Sequence, residues 1–164
     1  MLASDMGDSK PRPVKIIGFG NIFMGDDGIG IKIIEELEKV KSSGDLKNVE
    51  IIDGATSAID LLFNLNNSDR VIIIDAIDAG QADGEVVKFK LNDIKNMKGK
   101  TFKSFSLHDL NLNEVFNLMN SLKIYPDITL IGIKPKIIDY NDKLSPEIER
   151  RIPEIILMIK KEIK

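Results

Sequence analysis

The sequence predicts an α/β fold, with helices on both faces of a mostly parallel sheet of about five strands. Short aliphatic runs recur along the 164 residues, and stretches with apolar residues at helical spacing separate most of them. Turns that contain glycine or aspartate follow several of these runs. The length favours one domain, which we expect to span residues 13–164 after a flexible polar tail over residues 1–12.

The first strand and the first helix flank a glycine-rich segment. Residues 14–17 form an apolar run typical of a strand, and GFGNIFMGDDGIG follows at residues 18–30. The next residues show apolar positions at the spacing of a helix: Ile29, Ile33, Ile34, Leu37 and Val40. Strand, turn and helix together form the first half of a βαβ unit.

This glycine-rich segment does not match a nucleotide-binding turn. Phe23 occupies the third glycine position of G-x-G-x-x-G, and no lysine in the segment is followed by serine or threonine. Asp26 and Asp27 stand where a phosphate would meet the helix N-terminus. Their like charge favours a cation as the ligand. The alternative interpretation is that one of them only caps the helix.

Four further strands are predicted at residues 49–52, 70–75, 85–91 and 128–133. The run at 70–75 has four consecutive aliphatic residues and ends at Asp75, which is typical of a strand that is covered on both faces. Residues 85–91 alternate, with Lys88 and Lys90 on one side, and this pattern indicates a half-exposed edge strand.

Helices are predicted between these strands and at the end of the chain. A short helix follows residue 55, with Thr56 or Ser57 as its cap and with four apolar residues facing inward: Ile59, Leu62, Phe63 and Leu65. A second apolar stripe consists of Leu112, Val115, Phe116, Met119 and Leu122. The last helix has Ser145 as cap and Pro146 in its first turn, and Pro153 predicts a kink or a restart.

Composition excludes several classes of function. The chain has no cysteine, which excludes disulfides, a thiol nucleophile and thiolate metal sites, and it has one histidine. A net charge of −3 gives no basic field for nucleic acid or an anionic membrane. No apolar run approaches the roughly 20 residues that span a bilayer. We therefore expect a cytoplasmic protein without a nucleic-acid or membrane partner.

Three polar residues are expected at one edge of the sheet. Ligands of open α/β sheets bind outside the carboxyl ends of the strands, where Asp27, Asp75 and His108 should meet. Two carboxylates and one imidazole suit a divalent transition metal and leave positions open for a substrate. The alternative is that Asp75 is a turn residue and His108 a capping residue, as we expect for Asp53 and Asp78.

At these residues the sequence resembles the hydrogenase maturation endopeptidases. That family removes a C-terminal extension from the large subunit of nickel–iron hydrogenases after nickel has been inserted. The resemblance rests on the segment at 18–30 and on five shorter ones: DGAT at 53–56, IIIDAID at 72–78, SLHDL at 106–110, IGIKPK at 131–136 and LSPEIE at 144–149. It implies a three-layer α/β/α sandwich around a mixed sheet, in which residues 85–91 run antiparallel.

The resemblance also implies a metal site, a substrate and a reaction. Asp27, Asp75 and His108 match the family's metal-binding and catalytic positions. The metal is nickel that arrives with the large-subunit precursor, and other divalent metals are able to substitute for it. Water is the expected attacking group, activated by the metal or by a carboxylate. Lys136 departs from the family pattern, since many relatives carry an acid there.

Two other functions stay open at this point. A nickel-sensing chaperone could bind the same precursor without cutting it. A metal-dependent hydrolase of a small molecule could use the same kind of sheet edge.

Overall fold

The computed structural model describes residues 10–55, 58–94, 103–105 and 112–164. In this part of the chain the strands are β1 Val14–Phe19, β2 Val49–Ala55, β3 Arg70–Asp78, β4 Val86–Lys90, β5 Lys103–Ser104 and β6 Asp127–Ile133. The helices are α1 Ile29–Ser42, α2 Ala58–Phe63, α3 Leu91–Ile94, α4 Leu112–Ser121, α5 Pro146–Glu149 and α6 Ile152–Glu162. A 3₁₀ turn at Gly25–Gly28 precedes α1.

The strands form one mixed sheet in the order β2, β1, β3, β6, β4, and β5 pairs with β3. The pairings among β2, β1, β3 and β6 are parallel. Strand β4 lies at one edge and runs antiparallel to β6, as predicted for residues 85–91. The α/β prediction with a mostly parallel mixed sheet is therefore confirmed, and β5 is an additional, two-residue strand.

Two hydrophobic cores lie on opposite faces of the sheet, which gives the three layers. Alternate residues of a strand point to opposite faces, so each central strand supplies both cores. On one face the strands pack against α2 and α4, through residues that include Ile17, Ile73, Leu62, Phe116 and Met119. On the other face they pack against α1 and α6, through residues that include Ile16, Ile72, Ile33, Leu37, Ile155 and Ile159.

Strand β3 is longer than predicted. The sequence placed its end at Asp75, but the strand continues to Asp78 because Ala76 still pairs with β6 and Ile77 pairs with β5. The pairing between β1 and β3 nevertheless stops at Gly18 and Ile74. Asp75 is therefore the first residue of β3 beyond the β1 ladder.

Several smaller predictions about the helices are decided by the structure. Ile59 was expected to face inward, but 37% of it is exposed, while Leu62 is buried. The proposed caps Thr56 and Ser57 lie outside the described residues. The last helix restarts as predicted, since α5 ends before Pro153 and α6 carries this proline in its first turn.

Ser145 does stand at the N-cap position of α5, but its side chain makes no capping hydrogen bond. Its hydroxyl group instead donates to Asp26. Among the described residues, no helix combines the length and the apolar character needed to traverse a bilayer.

Candidate active site at the carboxyl edge of the sheet

Close backbone packing brings the start of α1 against the carboxyl ends of β1 and β3. A Cβ atom built on Gly30 would lie 2.6 Å from the carbonyl oxygen of Ile74 and 2.8 Å from the backbone nitrogen of Phe19. Real side chains do not tolerate such distances, so this crossing requires glycine. The 3₁₀ turn with Asp26 and Asp27 directly precedes this crossing and lies at the same edge.

Asp27 is held against the segment that leaves β1. Its carboxylate Oδ2 accepts a hydrogen bond of 3.1 Å from the backbone N–H of Asn21, and only 6% of the residue is exposed. Gly20, with φ of +143°, packs directly on the Asp27 carbonyl group, so neither its backbone conformation nor the space admits a side chain. The Asp27 carboxylate is thus fixed beside the carboxyl end of β1.

Asp75 lies just beyond the last paired residues of β1 and β3 and is 2% exposed. By the alternation along β3, its side chain is on the same face as those of Ile73 and Ile77, which pack in the core with α4. The Ser104 hydroxyl group donates a hydrogen bond to Asp75 Oδ2. We did not predict a role for Ser104 from the sequence, although it comes shortly before the SLHDL motif.

His108, the third predicted ligand, lies outside the described residues. It precedes α4 by four residues, and α4 returns the chain to the start of β6. Within the described part of the chain, no three Asp, Glu, His or Cys side chains are grouped so that they could hold a metal ion. The three-residue metal site of Asp27, Asp75 and His108 therefore stays a prediction.

Asp26 is completely buried, and its carboxylate binds a loop that is distant in sequence, which the sequence did not predict. Its Oδ2 accepts hydrogen bonds from the backbone N–H groups of Lys136 and Ile137, at 2.9 and 2.8 Å, and from the Ser145 hydroxyl group at 2.8 Å. Its Oδ1 accepts a further one from the Ser145 N–H at 2.6 Å. The adjacent carboxylates thus differ, because Asp26 binds a distant loop whereas Asp27 faces the glycine-rich segment.

Lys136 also contacts Glu147. Its Nζ donates to both carboxylate oxygens of Glu147, at 2.8 and 2.9 Å. The hydrogen bond from Lys136 holds the pKa of the Glu147 carboxyl group below its ordinary value. At neutral pH the ionised Glu147 therefore balances the charge of Lys136. Both side chains are exposed to solvent.

Asp53 and Asp78 make the local hydrogen bonds expected of turn residues. Asp53 Oδ1 accepts from the Ala55 N–H at 2.9 Å, and Asp78 Oδ1 accepts from the Gly80 N–H at 3.0 Å. The Gly80 hydrogen bond lowers the pKa of Asp78, and the neighbouring Lys134 adds to this effect against the opposing effect of burial. The turn role expected for Asp78 agrees with its place at the end of β3, whereas Asp53 makes its local hydrogen bond inside β2, where it pairs with Gly18.

Two clefts lie along the segments that contact the 3₁₀ turn. One of about 340 Å³ is lined by Gly20, Asn21, Ile22, Phe23, Ile31, Asp53 and Ala55. The other, of about 380 Å³, lies along the loop of residues 134–145 and the start of α5. Exposed apolar side chains lie on the segments that border them, with exposed fractions of 61% for Phe23, 45% for Ile137 and 92% for Tyr140.

Comparison with known proteins defines the class to which this fold and site belong. The family model described as hydrogenase maturation protease matches residues 31–162. The chain is 30% identical over 141 residues to the hydrogenase 2 maturation protease of Escherichia coli, covering 85% of this chain and 83% of that protein. The chain belongs to the hydrogenase maturation protease family.

A second relative in sequence and a solved structure are similar to most of this chain. The chain is 32% identical over 149 residues to the hydrogenase expression/formation protein HupD of Thiocapsa roseopersicina, covering 88% of this chain but 65% of HupD. The [NiFe] hydrogenase maturation protease HybD from Thermococcus kodakarensis superimposes with a TM-score of 0.70 at 27% identity, covering 93% of this chain and 99% of HybD. The fold is thus that of the maturation proteases.

Proposed function

We propose that this chain is an endopeptidase that removes the C-terminal extension of a nickel–iron hydrogenase large-subunit precursor after nickel insertion. The observation that carries the proposal is the position of two buried carboxylates, Asp27 and Asp75, beside the carboxyl end of β1 in a member of this protease family. The cytoplasm, where the precursor would be assembled, is the proposed place of the reaction.

The proposed metal contact serves recognition. Asp27, Asp75 and His108 would complete the coordination of nickel that is already bound in the precursor. Carboxylate and imidazole groups are suitable ligands for such an ion, and three ligands leave positions for the groups of the precursor. A precursor without nickel would lack this contact and would be spared. Nickel is thus part of the substrate.

The proposed reaction is hydrolysis by water. The chain has no cysteine, and no serine stands in a G-x-S-x-G motif, so neither of these common covalent nucleophiles is indicated. Water attacks the carbonyl carbon of the scissile peptide bond, the C–N bond breaks, and the leaving amine takes up a proton. A buried carboxylate near the attacking water can accept its proton as general base. The exposed Phe23, Ile137 and Tyr140 offer apolar contacts to a protein substrate.

Mass spectrometry of the precursor tests the proposal directly. Nickel-loaded large-subunit precursor, incubated with this protein, should lose a short C-terminal peptide, and nickel-free precursor should keep its mass. A stable complex without cleavage would contradict the peptidase and support a nickel-sensing chaperone. No cleavage and no complex, with any large subunit tested, would reject both functions.

Substitution of Asp27 tests the site. Asp27→Asn keeps an oxygen that can accept the Asn21 hydrogen bond but removes the charge, so the fold should persist while cleavage falls by about a hundredfold or more. Asp60→Asn changes an exposed carboxylate on α2 and serves as the matched control with wild-type cleavage. Equal rates for the two variants would show that Asp27 takes no part in the reaction.

A further inference from the structure

The 3₁₀ turn that carries Asp27 is short and leads directly into α1. It consists of four residues, Gly25–Gly28, and one of its backbone hydrogen bonds runs from the Asp27 N–H to the Met24 carbonyl oxygen at 3.2 Å. Such a short 3₁₀ segment has poor hydrogen-bond geometry and depends on its surroundings for its shape. Its position must therefore be set by the segments that pack on it.

One side of the turn rests on the residues that follow β1. Gly20 contacts the Asp27 carbonyl group, and a Cβ atom on Gly28 would lie 3.0 Å from Cα of Ile22. The Asn21 N–H donates to the Asp27 carboxylate on the same side. These contacts hold one side of the turn against the segment that follows β1.

The other side is held by the loop of residues 134–145, mainly through Asp26. The four hydrogen bonds to the Asp26 carboxylate span more than 100 positions of sequence separation, from Lys136, Ile137 and Ser145. Backbone hydrogen bonds reinforce them, since the Asp26 N–H donates to the Ile137 carbonyl oxygen at 2.9 Å. The Gly25 N–H likewise donates to the Asn141 carbonyl oxygen at 2.8 Å.

We propose that Asp26 is a positioning residue: its buried carboxylate fixes the 134–145 loop against the turn and thereby holds the Asp27 carboxylate at the edge of the sheet. Both carboxylate oxygens of Asp26 accept from groups that can only donate, apart from the Ser145 hydroxyl group. An asparagine at this position must turn its NH₂ group toward at least one N–H donor. Asp26→Asn therefore breaks part of the contact while it changes the side-chain volume little.

Hydrogen exchange measures this coupling without reference to the reaction. In Asp26→Asn the Asn21 amide, which donates to Asp27, should exchange faster by about tenfold to a hundredfold, since loss of buried hydrogen bonds favours local opening to that extent. The amide of Lys123, which donates to the Asn120 carbonyl oxygen at the end of α4, opens locally without breaking the Asp26 contacts and should exchange as in the wild type. Asp139→Asn, which changes an exposed carboxylate of the same loop, should leave both amides unchanged.

An unchanged Asn21 amide would overturn the inference, because it would show no coupling between Asp26 and Asp27. Equal acceleration of the Asn21 and Lys123 amides would also overturn it, because it would show a loosening that is not specific to the turn. Should Asp26→Asn fail to fold, Ser145→Ala removes only the hydroxyl donor to Asp26 Oδ2. This variant should accelerate Asn21 exchange in the same selective way, to a smaller extent, and an unchanged Asn21 amide would again overturn the inference.

Cleavage kinetics give a second readout, which rests on the proposed peptidase function. A displaced Asp27 should lower kcat/KM for nickel-loaded precursor by roughly tenfold to a hundredfold, as a misplacement near 1 Å does. Wild-type kcat/KM in Asp26→Asn would refute the positioning role. If the wild-type protein cleaves no precursor, the proposed function fails, and hydrogen exchange still decides whether Asp26 positions Asp27.

Discussion

Replacing Gly30 by alanine tests how the structure forms the edge on which Asp27 lies. The new Cβ atom would be 2.6 Å from the Ile74 carbonyl oxygen and closer still to that of Phe19, so two strands and a helix would have to separate. These are backbone atoms, which cannot move aside as the end of a flexible side chain can. The variant should therefore be destabilised although alanine is the better helix former.

The change expected in the free energy of unfolding of Gly30→Ala follows from two opposing effects. Overpacking of a tight interior costs about 1–3 kcal/mol and occasionally more, and contacts with backbone atoms on two strands belong at the upper end of that range. Alanine in place of glycine inside a helix returns about 1 kcal/mol. The free energy of unfolding should thus fall by about 2 kcal/mol or more.

Urea denaturation followed by circular dichroism measures this change. Gly28→Ala is the matched control, because its Cβ atom would meet the Ile22 Cα at 3.0 Å and would need only a small shift. Gly28→Ala should cost less than Gly30→Ala. A Gly30→Ala variant as stable as the wild type would refute the close crossing of α1 over β1 and β3.

Two further predictions concern buried carboxylates. Burial raises the pKa of Asp69, but hydrogen bonds from Asn66 and Lys15 and the charges of Lys15 and Arg12 outweigh it and keep the pKa below its ordinary value. The stability that Asp69 contributes is therefore present above about pH 4 and lost as the pH falls through the folded-state pKa. Urea titrations between pH 7 and pH 2 should show Asp69→Asn less stable than the wild type at neutral pH and equal to it in strong acid; a constant difference would contradict this. Ser104→Ala removes a donor to Asp75 and should cost about 1–3 kcal/mol in the same assay, against no more than about 0.5 kcal/mol for the exposed Ser42→Ala; equal losses would contradict it.

The layers and most strands could be predicted because their signals are local. Runs such as the aliphatic residues of β3 must be covered on both faces, and the helical spacing in α1 and α6 shows which faces cover them. The end of β3 could not be predicted, since aspartate is depleted in strands and Asp75 therefore indicated a turn. The strand continues because Ala76 pairs with β6 and Ile77 pairs with β5. Strand β5 is only two residues long and shows no pattern in the sequence that could have indicated this pairing.

The different roles of Asp26 and Asp27 could not be predicted for a similar reason. Both carboxylates precede the same helix, and their neighbours in sequence are nearly symmetrical. What separates them is a contact with Lys136, Ile137 and Ser145, which are remote in sequence. Such a contact depends on the whole fold. The polar loop at residues 134–144 was visible in the sequence, but nothing local indicated that its N–H groups would bind a buried carboxylate.

A crystal structure of the protein soaked with nickel, with anomalous scattering recorded at the nickel edge, tests the central claim most directly. The account predicts one strong peak that is bound by the carboxylates of Asp27 and Asp75 and by the imidazole of His108. A peak elsewhere, or side chains of Asp27, Asp75 and His108 too far apart to share one ion, would contradict it.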